Sequence, residues 1–297
     1  MKPLLMSLVV LLGFYSSHAQ INTFKILVKS GSSEIQIGEV VTQLEKGMVL
    51  SGDFTLVMEE GAYLGLVHNS GNLLEVEEAG KYSADDLYGK VTVNEANTIV
   101  TRYTDFILNR QKEETANGMM SNVTRSFEPF AAKEVELYIP NATELYGDKL
   151  ALEWANESEY SVIQIMNIFE EVLFEERVEG KRHILNLGGD NLKSEDILMV
   201  KVFQENDIES QAVALKRISV EEKKVHTKNL EALSANISNS ALLELIRAAY
   251  FEDNKLLADA FTSYVNAMLL EPKVEDYRNA YNEFLVRHEL LKLIQKP

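Results

Sequence analysis

Four histidines stand beyond the first twenty residues of this 297-residue chain: His68, His183, His226 and His288. A metal centre or a histidine-driven acid–base site needs such rings at short spacing or beside a nucleophile. No two of them lie at metal-ligand spacing, and none accompanies a serine nucleophile motif. His68 alone has a distinctive setting, the tight turn His68-Asn69-Ser70-Gly71, where it reads as a turn or sheet-edge residue. Cysteine is absent, which removes thiolate nucleophiles, thiolate zinc sites and disulfides.

Adjacent carboxylates are common: Glu59-Glu60, Glu77-Glu78, Asp85-Asp86, Glu170-Glu171, Glu175-Glu176 and Glu221-Glu222. Glycoside hydrolysis needs two carboxyls converging across a cleft, whereas neighbours on a strand point to opposite faces. These pairs read as solvated acidic surface. Gly188-Gly189-Asp190-Asn191, followed by Glu195-Asp196, offers oxygens to a calcium ion but lacks the alternating acidic spacing of an EF-hand loop. It reads as a polar turn. Phosphate loops, dinucleotide fingerprints and HExxH are missing. The sequence identifies no catalytic residue, no cofactor-binding residue and no metal ligand, and the expectation is a non-enzymatic protein with no cofactor.

The composition narrows the setting. Lys2, the apolar stretch 4–14 and Ser17-His18-Ala19 have the order of a secretory signal peptide, residues 1–19, with cleavage before Gln20. No later stretch reaches the roughly 18 apolar residues of a spanning helix, so no membrane insertion is expected after cleavage. Export without cysteine suits a bacterial protein that is periplasmic, cell-surface or extracellular. Four Asn-x-Ser/Thr sites (Asn122, Asn141, Asn156, Asn236) are what chance supplies in a chain rich in Asn and Ser. The net charge of −17, from 29 basic and 46 acidic residues, repels phosphate backbones, so nucleic acid is not an expected partner.

The elements that must position any site divide the chain into successive units. Over 20–93, short alternating runs such as Glu34-Ile35-Gln36-Ile37 are separated by glycines about every ten residues, which predicts a small β domain. Residues 94–129 carry an amphipathic helix marked by Ile99, Tyr103, Phe106, Ile107 and Arg110, then a polar linker or loop from Lys112. Seven strand-like runs over 130–218, without a long helix, predict an antiparallel β-sandwich. Helical stripes fill 219–297: Leu242, Leu245, Ile246 and Ala249; then Leu256, Leu257, Ala260, Tyr264, Ala267 and Met268; then Tyr277, Tyr281, Phe284 and Leu285. Pro272 ends the middle stripe. The fold class is multidomain α+β.

Three resemblances follow from quoted residues. Leu44, Gly47-Met48-Val49-Leu50, Gly52-Asp53 and Tyr63-Leu64-Gly65-Leu66 before His68-Asn69-Ser70-Gly71 resemble the FecR-like β domain of bacterial envelope proteins. Leu152-Glu153-Trp154 followed by Tyr160-Ser161-Val162 resembles the core Trp and Tyr-x-Val strand of fibronectin type III or immunoglobulin-like modules, which implies a packing role for Trp154. Ala248, Phe251, Ala260, Tyr264, Ala267 and Pro272 resemble the small, aromatic and proline positions of one tetratricopeptide repeat, with Arg247 departing from the usual Leu. Residues 274–294 follow as a capping helix.

One such repeat is short of the three that normally stand alone, so the hairpin is expected to dock on the sandwich or on another protein. The functional expectation is a protein–protein interaction or scaffolding role in the bacterial envelope, with a protein partner. Phe251, Tyr264 and Tyr281 are candidate groove linings, or else internal packing of the hairpin. Carbohydrate binding at the cell surface, or envelope signalling through the FecR-like unit, are the alternatives.

Overall fold

The computed structural model describes residues 22–91, 97–116, 134–140, 144–155, 158–205, 208–234 and 240–294. The leader, residues 1–19, and the four Asn-x-Ser/Thr asparagines lie outside the described residues. The alternating N-terminal runs form β1 (Thr23–Ser30), β2 (Ser33–Ile37), β3 (Val40–Gln43), β4 (Val49–Ser51), β5 (Thr55–Met58), β6 (Tyr63–His68), β7 (Leu73–Val76) and β8 (Gly80–Ser83), followed by the short helix α1 (Ala84–Tyr88). They pair into two antiparallel sheets, β4-β1-β6-β7 and β3-β2-β5-β8, around a core that includes Phe24, Leu56, Leu64 and Leu66.

A bulge in β1 lets this small unit serve two cores. The register against β6 shifts between Ile26 and Val28, which breaks the two-residue alternation. Phe24 and Ile26 therefore point into the β core, while Leu27 and Val28 join the core of the helices. Strand β6 is buried along its whole length, as expected for a strand covered on both faces.

Helix α2 (Thr98–Ala116) packs Val100, Tyr103, Ile107 and Leu108 against the helices. It runs beyond the start of the linker expected from Lys112, and residues 117–133 lie outside the described set. The strand-like runs that follow become β9 (Leu137–Tyr138), β10 (Glu144–Leu145), β11 (Lys149–Trp154), β12 (Tyr160–Met166), β13 (Val172–Glu179), β14 (Arg182–Asn186), β15 (Ile197–Gln204), β16 (Ile208–Glu209) and β17 (Val213–Arg217), with a single turn of helix, α3 (Asp190–Lys193). They form a β-sandwich of sheets β14-β11-β9 and β10-β17-β15-β12-β13, with β16 on β15. One pair departs from the expected antiparallel pattern: β10 runs parallel to β17, Glu144 opposite Lys216. Trp154 is 1 % exposed between the sheets, and its indole N–H donates to Ser161 Oγ at 3.0 Å.

The last unit is α4 (Val220–Ser234), α5 (Ala241–Asp253), α6 (Leu257–Leu270), α7 (Glu275–Arg287) and a closing 3-10 turn (Leu291–Leu293). Only Arg247 and Asp253 of α5 escape full burial, so this helix is covered almost all round and lies at the centre of the molecule. It touches the N-terminal unit at Gly65, where an added Cβ would stand 2.9 Å from Leu242 Cδ1, so a larger residue would make the Leu242 side chain shift.

Buried and half-buried polar groups fix the same joints. Glu75 accepts from the Leu242 amide and the Tyr63 hydroxyl, and Asp276 accepts from the Lys29 amide and Lys46 Nζ. On the sandwich side, Glu153 accepts from Tyr281 and Arg182. The helical hairpin is thus docked on both β units.

Candidate functional site

A cleft of about 510 Å³ opens where the helices meet the sandwich. One wall is α5, which contributes Glu244, Arg247 and Phe251 at helical spacing i, i+3, i+7. The other is α6, with Thr262, Ser263 and Asn266 along one stripe and Leu269 and Leu270 at its end. The Tyr146–Lys149 turn between β10 and β11 closes the third side.

Asp259 holds that turn in place. It stands in the first turn of α6, where a carboxylate suits the helix dipole, and accepts from the Tyr146 amide at 2.8 Å and the Gly147 amide at 2.7 Å. A Cβ at Gly147 would come within 2.8 Å of Asp259 Oδ1, so a larger residue there would push on that carboxylate. Burial pushes the Asp259 carboxyl up to about 6, against the two amides that favour its charged form. Since both oxygens are engaged by backbone, Asp259 shapes the cleft and does not offer itself to a ligand.

The groups facing the cleft mix charge and apolar surface. Arg247 donates to Glu244 at 2.7 Å, an ion pair with the carboxylate buried and the guanidinium partly open. Leu269 and Leu270 form the rim, 51 % and 41 % exposed. The cleft thus places apolar surface beside an ion pair and the side chains of Ser263 and Asn266.

Of the three aromatic residues expected at a groove, Phe251 borders this cleft, and Tyr264 and Tyr281 do not. All three are buried, at 6 %, 3 % and 0 % exposure. Tyr264 donates to Glu252, and Tyr281 donates to Glu153 across the joint with the sandwich. Glu252 is itself a four-helix junction, bonded also by Arg110, Arg287 and His288. Burial raises its carboxyl, but the hydrogen bonds from His288 and Arg287 and the charges of Arg287 and Arg110 outweigh that and hold it well below the usual range.

Sequence reasoning missed Glu244, Asp259 and the Tyr146–Lys149 turn. A signal existed for part of it: Glu244 and Arg247 are charges three apart in the mostly apolar first two turns of the helix, and Arg247 is the residue that departs from the repeat pattern.

The histidines lie in four separate places. His68 is buried, its Nδ1 2.7 Å from Ser70 Oγ, its ring packed on Phe24 and Tyr88, and burial holds its imidazole below the ordinary value. His183 meets Glu176 on the sandwich, His226 meets the Tyr250 hydroxyl, and His288 joins Glu252. Among the described residues no group of three or more His, Asp or Glu is placed to hold a metal. In the 188–196 run, Gly189 precedes α3 and Asn191 donates to the Leu173 carbonyl. Asp86 and Glu222 cap the helices that follow Ser83 and Ser219.

No family model matches the chain, the FecR-like and tetratricopeptide families included, and no curated protein matches it. Among solved structures it is similar to the fibronectin(III)-like modules of Clostridium thermocellum CbhA. The identity is 12 % over 65 % of this chain and 78 % of that chain, with a TM-score of 0.19. A superposition that loose carries no argument; the sandwich here rests on its own strand pairing. The class defined by fold and site is a multidomain α+β protein with two β units on a helical hub.

Proposed function

We propose that this chain is an exported, non-enzymatic interaction or scaffolding protein of the bacterial envelope, and that its cleft receives an extended segment of a partner protein. The observation that carries the reading is the cleft itself: about 510 Å³, walled by α5, α6 and a sandwich turn, with Leu269 and Leu270 exposed at its rim. Two leucines left in water at the mouth of a cleft are apolar surface that a bound polypeptide segment would cover. The finer identities belong to the same reading: a FecR-like N-terminal unit, a fibronectin type III-like sandwich and a tetratricopeptide-like hairpin in which α5 and α6 are the pair. Trp154, buried between the sheets, gives the carbohydrate alternative no stacking platform.

The test is recovery of the mature chain from the cells that produce it, beside the double variant Leu269→Asp, Leu270→Asp. Both side chains are exposed, so the variant should melt at the temperature of the wild type. A defined partner that co-purifies with the wild type and is lost with the variant supports the groove. Partners recovered equally by both, or by neither, would refute it.

A further inference from the structure

The most exposed large apolar side chain among the described residues is Phe169, 77 % accessible, beside Ile168 at 57 % and Val172 at 51 %. They stand at the turn between β12 and β13, on the edge strand of the larger sandwich sheet. This turn is tightly built. Asn167 is buried, and its Oδ1 accepts from the Phe169 amide at 2.9 Å and the Glu171 amide at 3.1 Å, while its Nδ2 donates to Glu171 Oε2 at 2.7 Å. Two backbone bonds, Asn167 N–H to Glu171 O and Glu170 N–H to Asn167 O, close the loop, and Glu170 takes a left-handed φ of 62°. A non-glycine residue held at positive φ by a side-chain network is a strained feature that the surroundings must maintain. Here that network fixes an aromatic ring pointing into water instead of tucking it against the sheet.

We infer that the Ile168–Phe169 tip is a preformed anchor that inserts into an apolar socket, rimmed by Lys or Arg, on a partner protein. Preorganisation argues for insertion, because a rigid tip loses little freedom on binding. Charge selects the occupant. Glu170 and Glu171, both exposed, flank the ring, and the chain carries −17 overall. That field opposes an anionic bilayer and a second copy of the same chain, and it favours a cationic rim. The strand directions place the tip at the same end of the sandwich as the Tyr146–Lys149 turn. The two are four strands apart, β10 to β13, or roughly 19 Å at ~4.8 Å per strand. The tip is nonetheless argued on its own residues and does not depend on the cleft.

The test puts a photoreactive benzoyl-phenylalanine at position 169 of the full chain in the producing cells and identifies what it cross-links. That protein, purified, is then titrated with wild type, with Phe169→Ser and with the charge reversal Glu170→Lys. The expected result is one dominant cross-linked protein. Its dissociation constant rises at least tenfold with Phe169→Ser, and binding weakens with the charge reversal and with added salt. Phe169→Ser should leave the melting temperature unchanged, since the ring contributes little to the core. Cross-links only to lipid or to a second copy would overturn the inference, as would no specific cross-link. So would a partner that binds Phe169→Ser as well as wild type, or insertion of the tip into phosphatidylcholine or phosphatidylglycerol vesicles.

Discussion

Asp259 sits inside the protein with both oxygens bound to backbone amides, and its carboxyl titrates near 6 where an ordinary aspartate titrates at 3.8. The sign follows from linkage. A carboxyl whose folded value is raised favours the folded state while protonated, and that advantage is lost as pH rises from 3.8 to about 6. The shift corresponds to about 3 kcal/mol across that window. Asp259→Asn removes the titration. Urea unfolding at pH 4 and pH 7 should therefore show wild type losing stability relative to Asp259→Asn as pH rises. A difference between the two proteins that stays constant with pH would mean the carboxyl is not buried as described. Glu252 has the opposite sign, its value held low by Arg287, His288 and Arg110, so its contribution is full above the ordinary glutamate value and falls away in acid.

At the scale of elements, the joint between α6 and β11 is the most economical to test. Strand β9 is two residues long and pairs only with Glu153 and Trp154, leaving the first half of β11 with an open edge. Helix α6 covers that edge, and Thr262 Oγ1 accepts the Ala151 amide at 2.9 Å. A buried amide without a partner costs about 1–3 kcal/mol. Thr262→Val keeps the shape and removes the acceptor, so it should lower stability by about 2 kcal/mol, whereas Thr262→Ser should restore most of it. Equal losses in the two variants, read from chemical denaturation, would assign the effect to packing and not to the hydrogen bond. Most strands of the N-terminal and sandwich units were legible where a two-residue alternation lies between turn residues, whereas the two-residue strands β10 and β16 are too short to carry such a pattern. The bulge at Ile26–Val28 was not legible, because the helical core that Leu27 and Val28 join is built from residues far along the chain.

For the whole molecule, the core of the helices reaches into both β units, from Leu27, Val28 and Tyr63 on one side to Ala151 on the other, beside the separate cores of the two β units. Removing residues 219–297 would expose both faces at once, so such a truncation should yield aggregated or unfolded chain and says nothing about partner binding. The intact protein should instead unfold as one cooperative unit. Trp154 fluorescence, which reports the sandwich, and far-UV circular dichroism should give coincident thermal transitions. Two separated transitions would mean the units hold together only loosely.

The sequence determined the local architecture: which stretches alternate as strands, which carry a helical stripe, where Pro272 stops a helix, and that Trp154 belongs between sheets. These are short-range properties, written in periodicity and turn chemistry. It also marked Phe251, Tyr264 and Tyr281 as apolar faces needing cover, and left open what covers them. An amphipathic stripe has the same pattern whether its other half is a partner or a distant part of its own chain. The tertiary structure decided that question, burying Tyr264 against Glu252 and Tyr281 against Glu153, and leaving Phe251 at the edge of a cleft. It also decided where the exposed surface lies, at Leu269, Leu270 and Phe169, because exposure is what remains after all long-range contacts have formed.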